Sequence, residues 1–289
     1  MQIGAVIPHN EIGSDPGAMK AFAQGLEAQG ITHALLYDHV LGADPDRPGG
    51  WKGAYDKDVA FHEPLTTFAF LSGVTETLEF ITTVLILPQR QTVLVAKQAA
   101  EVAVLSNNRF RLGIGTGWNQ LEYQGLNETF GNRGARQAEQ VELMRKLWSE
   151  DSLTFNGKYH TIDAASILPR PSRSIPVWFG GSHPALLKRC ALLGDGWIPL
   201  MGANDAARQC LDTMKTLREA AGLKWQGFGI QAQAQYAGGN PDRWHKHASK
   251  WADLGCTHLA IATHNAGPTT VDGHLKRIAE YQDAVSDVG

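Results

Sequence analysis

The sequence predicts a (β/α)8 barrel of the TIM type, and three observations carry that prediction. Apolar strand-like runs alternate with helical patterns along all 289 residues. There are eight such pairs, one for about every 36 residues, which suits a closed barrel of this length. The strand runs are apolar at consecutive positions, as in a parallel sheet covered on its outside by helices. The runner-up is a doubly wound open sheet, which would carry a nucleotide motif at its first β/α turn. That turn, Pro8-His-Asn-Glu-Ile12, has none.

The units follow in order. The first pairs a strand near 3–8 with a helix near 16–29, and the second a strand near 33–37 with a helix near 63–75. The third and fourth use strands near 78–87 and 110–115 with helices near 91–105 and 134–148. The fifth and sixth use strands near 176–179 and 196–200 with helices near 184–193 and 205–221. The last two use strands near 228–235 and 258–262 with helices near 241–254 and 271–285. The whole chain, 1–289, reads as one domain. Two segments break the spacing. Residues 40–62 are long and rich in Gly, Asp and Pro, and follow strand two, so they lie over the active mouth. Residues 153–171 carry an Asn156-Gly157 turn flanked by Leu-Thr-Phe and Tyr-His-Thr, a hairpin signature.

Composition narrows the function. Apolar residues make up 43 %, enough for a sizeable core. A net charge of −3 gives no electrostatic reason to expect nucleic acid or an anionic membrane as partner. No apolar run approaches the roughly 18 residues of a membrane span. The start, MQIGAVIPHN, lacks a positive n-region and reads as a strand rather than a signal peptide. Cys190, Cys210 and Cys256 are scattered and odd in number, which favours a reducing cytoplasm without structural disulfides.

In a barrel, chemistry sits at the C-terminal strand ends. Those ends offer His9 after strand one, Asp38 and His39 after strand two, and Gly115-Thr116-Gly117 after strand four. Gly180-Gly181-Ser182 follow strand five, and His264 follows strand eight. Three of the eleven histidines therefore meet at one mouth. The 113–120 glycines do not fit G-x-G-x-x-G, because Trp118 and Gln120 stand where a third glycine belongs. Val177 to Ser182 reads either as a phosphate site, with free glycine N–H groups and Ser182 capping the next helix, or as an ordinary tight turn with a capping serine. Asp38-His39 is either an acid/base pair or a device that orients the loop. Arg133, Arg136 and Glu139 stand three apart and read as a salt-bridged helix surface. No metal is expected: H-E-x-x-H is absent, and His245 and His247 do not share a helix face. There is no G-x-S-x-G elbow for a serine nucleophile.

As a set, these residues resemble the bacterial luciferase-like superfamily of flavin and deazaflavin oxidoreductases. The resemblance covers most of the chain. It is strongest in Phe80-Ile-Thr-Thr-Val-Leu-Ile-Leu-Pro-Gln-Arg90, in Ala96-Lys-Gln-Ala99, in 109–148, and in Pro176-Val-Trp-Phe-Gly-Gly-Ser182 with Asp195-Gly-Trp197. Tyr37-Asp-His-Val40 with Gly42-Ala-Asp44 is similar to the branch that depends on coenzyme F420. The resemblance implies a cofactor ring across the barrel mouth, faced by Asp38 and His39. It implies a bulge with a non-prolyl cis peptide at Thr83-Val84 behind the ring. Thr116 and Gly117 would touch the ring or ribityl chain, and Gly180, Gly181 and Ser182 the phosphate. A homodimer is also implied. The ring-side Trp of the sugar-phosphate dehydrogenase branch has no clear equivalent, and Trp51 lies farther off in the long loop.

The function expected is hydride transfer between coenzyme F420 and a small organic substrate. His39 would move the proton, Asp38 would assist, and His9, Trp51, Glu122 and His264 would line the substrate. One alternative is a monooxygenase using reduced FMN and oxygen. Another is a non-catalytic flavin-binding protein. An unrelated barrel hydrolase or Schiff-base lyase fits less well, since no metal cluster and no strand-end lysine is found; Lys97 falls inside a helix.

Overall fold

Apolar β-rich runs bounded by Gly, Pro and Asp become strands here, and each barrel strand leads into a helix. The computed structural model describes residues 1–288. The chain begins β1 (Gln2–Val6), α1 (Pro16–Ala28), β2 (His33–Leu36), α2 (Pro64–Ser72), β3 (Glu79–Thr82) and β4 (Leu85–Ile86). A 3₁₀ turn (Leu87–Gln89), α3 (Thr92–Leu105), β5 (Phe110–Gly115), α4 (Gln120–Gly125) and α5 (Arg133–Ser149) follow. Then come β6 (Leu153–Asn156), β7 (Thr161–Ala165), β8 (Val177–Gly180), α6 (Pro184–Leu193), β9 (Gly196–Ile198) and α7 (Asp205–Ala220). The chain closes with β10 (Gly229–Gln235), α8 (Pro241–Asp253), β11 (His258–Ala262) and α9 (Val271–Ala284).

The parallel sheet runs β3-β2-β1-β11-β10-β9-β8-β5, and β5 also pairs with β3, so it closes into a barrel. The long third strand expected over 78–87 is interrupted. β3 meets β5 at Phe80↔Phe110 and β4 meets it at Leu85↔Ile114, so the offset falls from 30 to 29 residues. One extra residue therefore bulges out between them, at the cis peptide Thr83-Val84. The Asn156-Gly157 hairpin is present as the antiparallel pair β6 and β7.

Strand side chains alternate between two apolar layers. Ala5, Ile7, Phe80 and Phe179 face outward into the main core beneath the helices. Val6, Ile81, Trp178 and Ile198 point into the barrel with Leu35, Ala260 and Ala262. The helices present matching stripes. In α1, Met19, Phe22, Ala23 and Leu26 are buried, the i, i+3, i+4, i+7 spacing of one helix face. Asp15 caps that helix by accepting from the Gly17 N–H, and Pro16 opens it.

One local expectation changes. The salt-bridged surface of α5 does not form as read. Arg136 is buried, ion-pairs with Glu128 at 2.5 Å and donates to the Pro88 carbonyl. Glu139 instead bonds His160 Nδ1 at 2.8 Å, and Arg133 lies 3.8 Å over the Phe130 ring. The helix packs this face against the 3₁₀ turn, so the spacing served tertiary contacts and not a solvated face. The short α4, capped by Asn119, was not legible as a helix at six residues. It turns Glu122 into the barrel mouth.

Candidate active site

The mouth is built on the bulge. Val84 stands between two glycines: a Cβ on Gly115 would lie 2.5 Å from one Val84 methyl, and a Cβ on Gly180 2.5 Å from the other. These glycines make room first for Val84, and only through it for a ligand. Above it opens a cleft of about 400 Å³, lined among others by Asp38, His39, Thr83, Val84, Ile86, Thr116, Gly117, Trp118, Glu122 and Gly180 to His183. The Thr83 hydroxyl is buried there without a hydrogen-bond partner.

His39 follows β2 and lines this cleft. Its Nδ1 lies 3.1 Å from Glu122 Oε1, and the Glu122 side chain is 1 % exposed. Glu122 also accepts from the Val40 N–H at 2.9 Å and from Gln89 Nε2 at 3.0 Å. Burial works to raise the Glu122 carboxyl, but the bonds from His39, Gln89 and Val40 outweigh it and hold the group below its ordinary value. The carboxylate fixes Nδ1 as the protonated nitrogen and leaves the lone pair on Nε2.

Asp38 lines the cleft beside His39 and is also held from behind. Its carboxylate accepts from the Ile86 N–H at 2.8 Å and from Arg90 Nη2 at 2.7 Å, and makes no bond to His39. Arg90 also reaches Glu63 at 2.9 Å. Burial raises the Asp38 carboxyl, with Arg90 and the Ile86 N–H pulling the other way. Asp38 thus clamps the end of β2 to the bulged strand. Glu122, which lines the cleft, is the partner of His39.

The other histidines stand behind the wall. His9 is 1 % exposed, with its ring 5.0 Å from Phe61 and 6.4 Å from His264. Burial, then the nearby His264, His62 and His39, take its pKa down to about 4, against the bond to the Ile7 carbonyl. His264 stacks on Tyr37 at 6.0 Å, and burial lowers its pKa against the pull of Glu11. The three histidines do gather at one mouth, but His39 alone of them lines the cleft. His9 was read as a substrate contact, but it is buried and does not line the cleft. Trp51 sits one layer out, 5.9 Å from Trp118, and donates to the Tyr55 carbonyl at 2.6 Å.

The turn expected to hold a phosphate also differs in detail. The Gly181 N–H is not free: it donates to the Ile198 carbonyl at 3.1 Å, and the Gly181 carbonyl accepts from Trp197 Nε1 at 2.7 Å. Gly181 has φ +123 and a Cβ there would meet Leu186 at 3.1 Å, so a valine would strain the backbone as well as the cleft. His183, not Ser182, caps α6, its Nδ1 accepting from the Ala185 N–H at 3.3 Å. Ser182 is left exposed beside that helix N-terminus. His183, Tyr55 and Trp118 line the cleft and were missed by sequence reasoning. The missed signals were Pro184, which marks residue 183 as a cap, and the aromatics of the long loop.

A profile of the family described as luciferase-like monooxygenase matches residues 1–286. An F420-dependent hydroxymycolic acid dehydrogenase of Mycobacterium tuberculosis is 29 % identical over 257 residues, covering 88 % of this chain and 63 % of that one. Two solved structures share the fold. Monooxygenase RslO1 from Streptomyces bottropensis superposes with TM-score 0.81 at 14 % identity over 99 % of both chains. An F420-dependent secondary alcohol dehydrogenase superposes with TM-score 0.80 at 15 % identity over 98 % of both.

Proposed function

Because this chain belongs to the luciferase-like monooxygenase family, whose members are oxidoreductases, we propose that it transfers hydride between coenzyme F420 and an organic alcohol or carbonyl compound. The observation that carries the reading is that His39 and Val84 line one cleft, with His39 Nδ1 held by buried Glu122. The cleft suits a flat ring. Val84 gives an apolar floor, Gly115 and Gly180 keep that floor level, and the unpartnered Thr83 hydroxyl offers a polar contact. Ser182 and His183 stand at the start of α6, where a helix N-terminus favours phosphate. Relatives and neighbours described as F420-dependent support this choice of cofactor.

The bound deazaflavin supplies a carbon that accepts or gives hydride. The protein supplies position and the proton. Val84, Thr116 and Gly117 hold the ring's place, Gly180 to Ser182 the phosphate end. In the oxidative direction His39 Nε2 takes the hydroxyl proton as the substrate C–H leaves as hydride and C=O forms. The Glu122 carboxylate then faces the imidazolium that results. In the reductive direction the same nitrogen returns the proton.

A second reading, FMN with oxygen, is favoured by the family's own description and by the likeness to RslO1. The experiment is to purify the protein from a host that makes both cofactors and record the mass and absorbance of what it releases. Fluorescence titration with each cofactor then follows. Release and tight binding of F420 supports the proposal, whereas FMN in its place establishes the second reading.

A further inference from the structure

The end of the barrel opposite the cleft holds a cation that the chemistry at the mouth does not use. Arg111 is the second residue of β5, and its guanidinium lies 4.9 Å over the Trp178 ring. The residue is 6 % exposed, and its Nε, Nη1 and Nη2 are buried without a hydrogen-bond partner. Glu79 Oε2 lies 3.3 Å from Nη2 as an ion pair, but out of line for a hydrogen bond. Burial takes the guanidinium down to about 10, with Glu79 pulling the other way, so it stays charged at neutral pH. A buried charge with unmet donors is costly, and in a native protein it calls for a partner.

Arg111 lines a crevice of about 220 Å³ together with Glu79, Asn108, Arg173 and Ser174. A single water needs only about 10–15 Å³. Arg173 and Ser174 are exposed, and Arg173 Nη2 reaches the Asn108 carbonyl by a long 3.4 Å bond. Asn108 Nδ2 donates to the Ser172 hydroxyl at 2.8 Å, which leaves Oδ1 as a buried acceptor with no partner. The crevice therefore pairs two guanidiniums, rich in donors, with one acceptor that needs a proton. Sulfate and an ionised phosphomonoester serve only the guanidiniums. Inorganic phosphate keeps a P–OH at neutral pH and serves both.

We propose that this crevice at the barrel floor binds inorganic phosphate, with Arg111 and Arg173 donating to its oxygens and Asn108 Oδ1 accepting from its hydroxyl. Glu79 is the resident counter-ion that phosphate displaces; its side chain is 42 % exposed and is free to turn to water. The site is independent of the cofactor and of the reaction at the mouth.

Isothermal titration calorimetry with inorganic phosphate, at pH 7 and an ionic strength held fixed with sodium chloride, tests this. Phosphate is expected to bind severalfold more tightly than sulfate or methyl phosphate. Arg111→Gln should weaken it roughly tenfold or more, as for the loss of a charge-assisted hydrogen bond, and Arg173→Ala severalfold. Glu79→Gln removes the competing carboxylate and should tighten phosphate, an effect of opposite sign. Should Arg111→Gln not fold, the more exposed pair Arg173→Ala and Glu79→Gln carries the test. Phosphate affinity indifferent to both of these variants would overturn the proposal. So would the absence of binding heat, or sulfate bound as tightly as phosphate.

Discussion

Both ends of this barrel seat one apolar side chain between two glycines and set histidines around it, yet one end is a plug and the other a cleft. At the floor, Trp178 fills the space that a Cβ on Gly196 or Gly229 would occupy. His258 lies 5.1 Å from its ring, His33 lies 5.3 Å from His258, and the Arg111 guanidinium sits 4.9 Å over the indole. At the mouth, Val84 occupies the matching place between Gly115 and Gly180. A valine covers the strands and leaves volume above it, where an indole leaves none. The charges differ too. Burial and then Arg111 push His33 well below its ordinary pKa, and the same two causes take His258 down to about 3. At the mouth the partner of His39 is a carboxylate. The two ends thus differ in both burial and partner: the floor histidines are buried beside a guanidinium, whereas His39 lines the cleft and meets a carboxylate.

Four substitutions or conditions test this contrast. The largest effect is expected for His39→Ala, which should lower turnover by about 10² to 10⁴ while cofactor affinity, read by fluorescence titration, changes much less. Single-turnover measurement would show it, and turnover preserved within a few-fold would make His39 structural. Next is Trp178→Ala at the floor. Emptying this 4 % exposed site should cost about 3–5 kcal/mol of stability, measured by chemical denaturation, and leave cofactor affinity of the folded fraction nearly intact.

Glu122→Gln comes third. It keeps an acceptor for the Val40 N–H but removes the charge facing His39, and turnover should fall by roughly 10- to 100-fold, as for other groups that orient a working side chain. The melting temperature should move little. A fall in turnover only in proportion to lost folded protein would make Glu122 a packing residue. The smallest effect is expected from pH at the floor. The folded pKa of His258, about 3, lies below the ordinary 6.5, so the unfolded chain takes up the proton first as pH falls. Stability is then present in full above about pH 6.5 and is lost as pH drops toward 4. His9 and His274, both near 4 because of burial first, add to the same slope. A thermal melt series from pH 7 to pH 4 should show it, and His258→Gln should flatten part of the slope. An equal slope in that variant would remove His258 from the account.

Much of the scaffold was legible before any coordinates. The barrel, the Asn156-Gly157 hairpin, the bulge at Thr83-Val84 and the arrival of His39 at the mouth all follow from period, turn residues and a family-like motif. The partner of His39 was not legible, because Glu122 lies 83 residues away on a helix too short to read. The partners of Asp38 were hidden for a related reason. Its neighbour in sequence is His39, but its partners in space are Ile86 and Arg90, 48 and 52 residues on. Ser182 was taken for the helix cap one residue too early, a difference of a single peptide that only the path of the backbone resolves.

The sequence by itself determined the alternation of strands and helices, and with it the closed parallel barrel and the end at which polar residues gather. Those are consequences of local period and strand direction, which each segment carries within itself. The tertiary structure alone decided which carboxylate meets His39, which glycines make room for Val84, and which aromatic rings frame the cleft. Such pairings depend on distances between segments far apart in the chain, and those distances exist only once the barrel has closed.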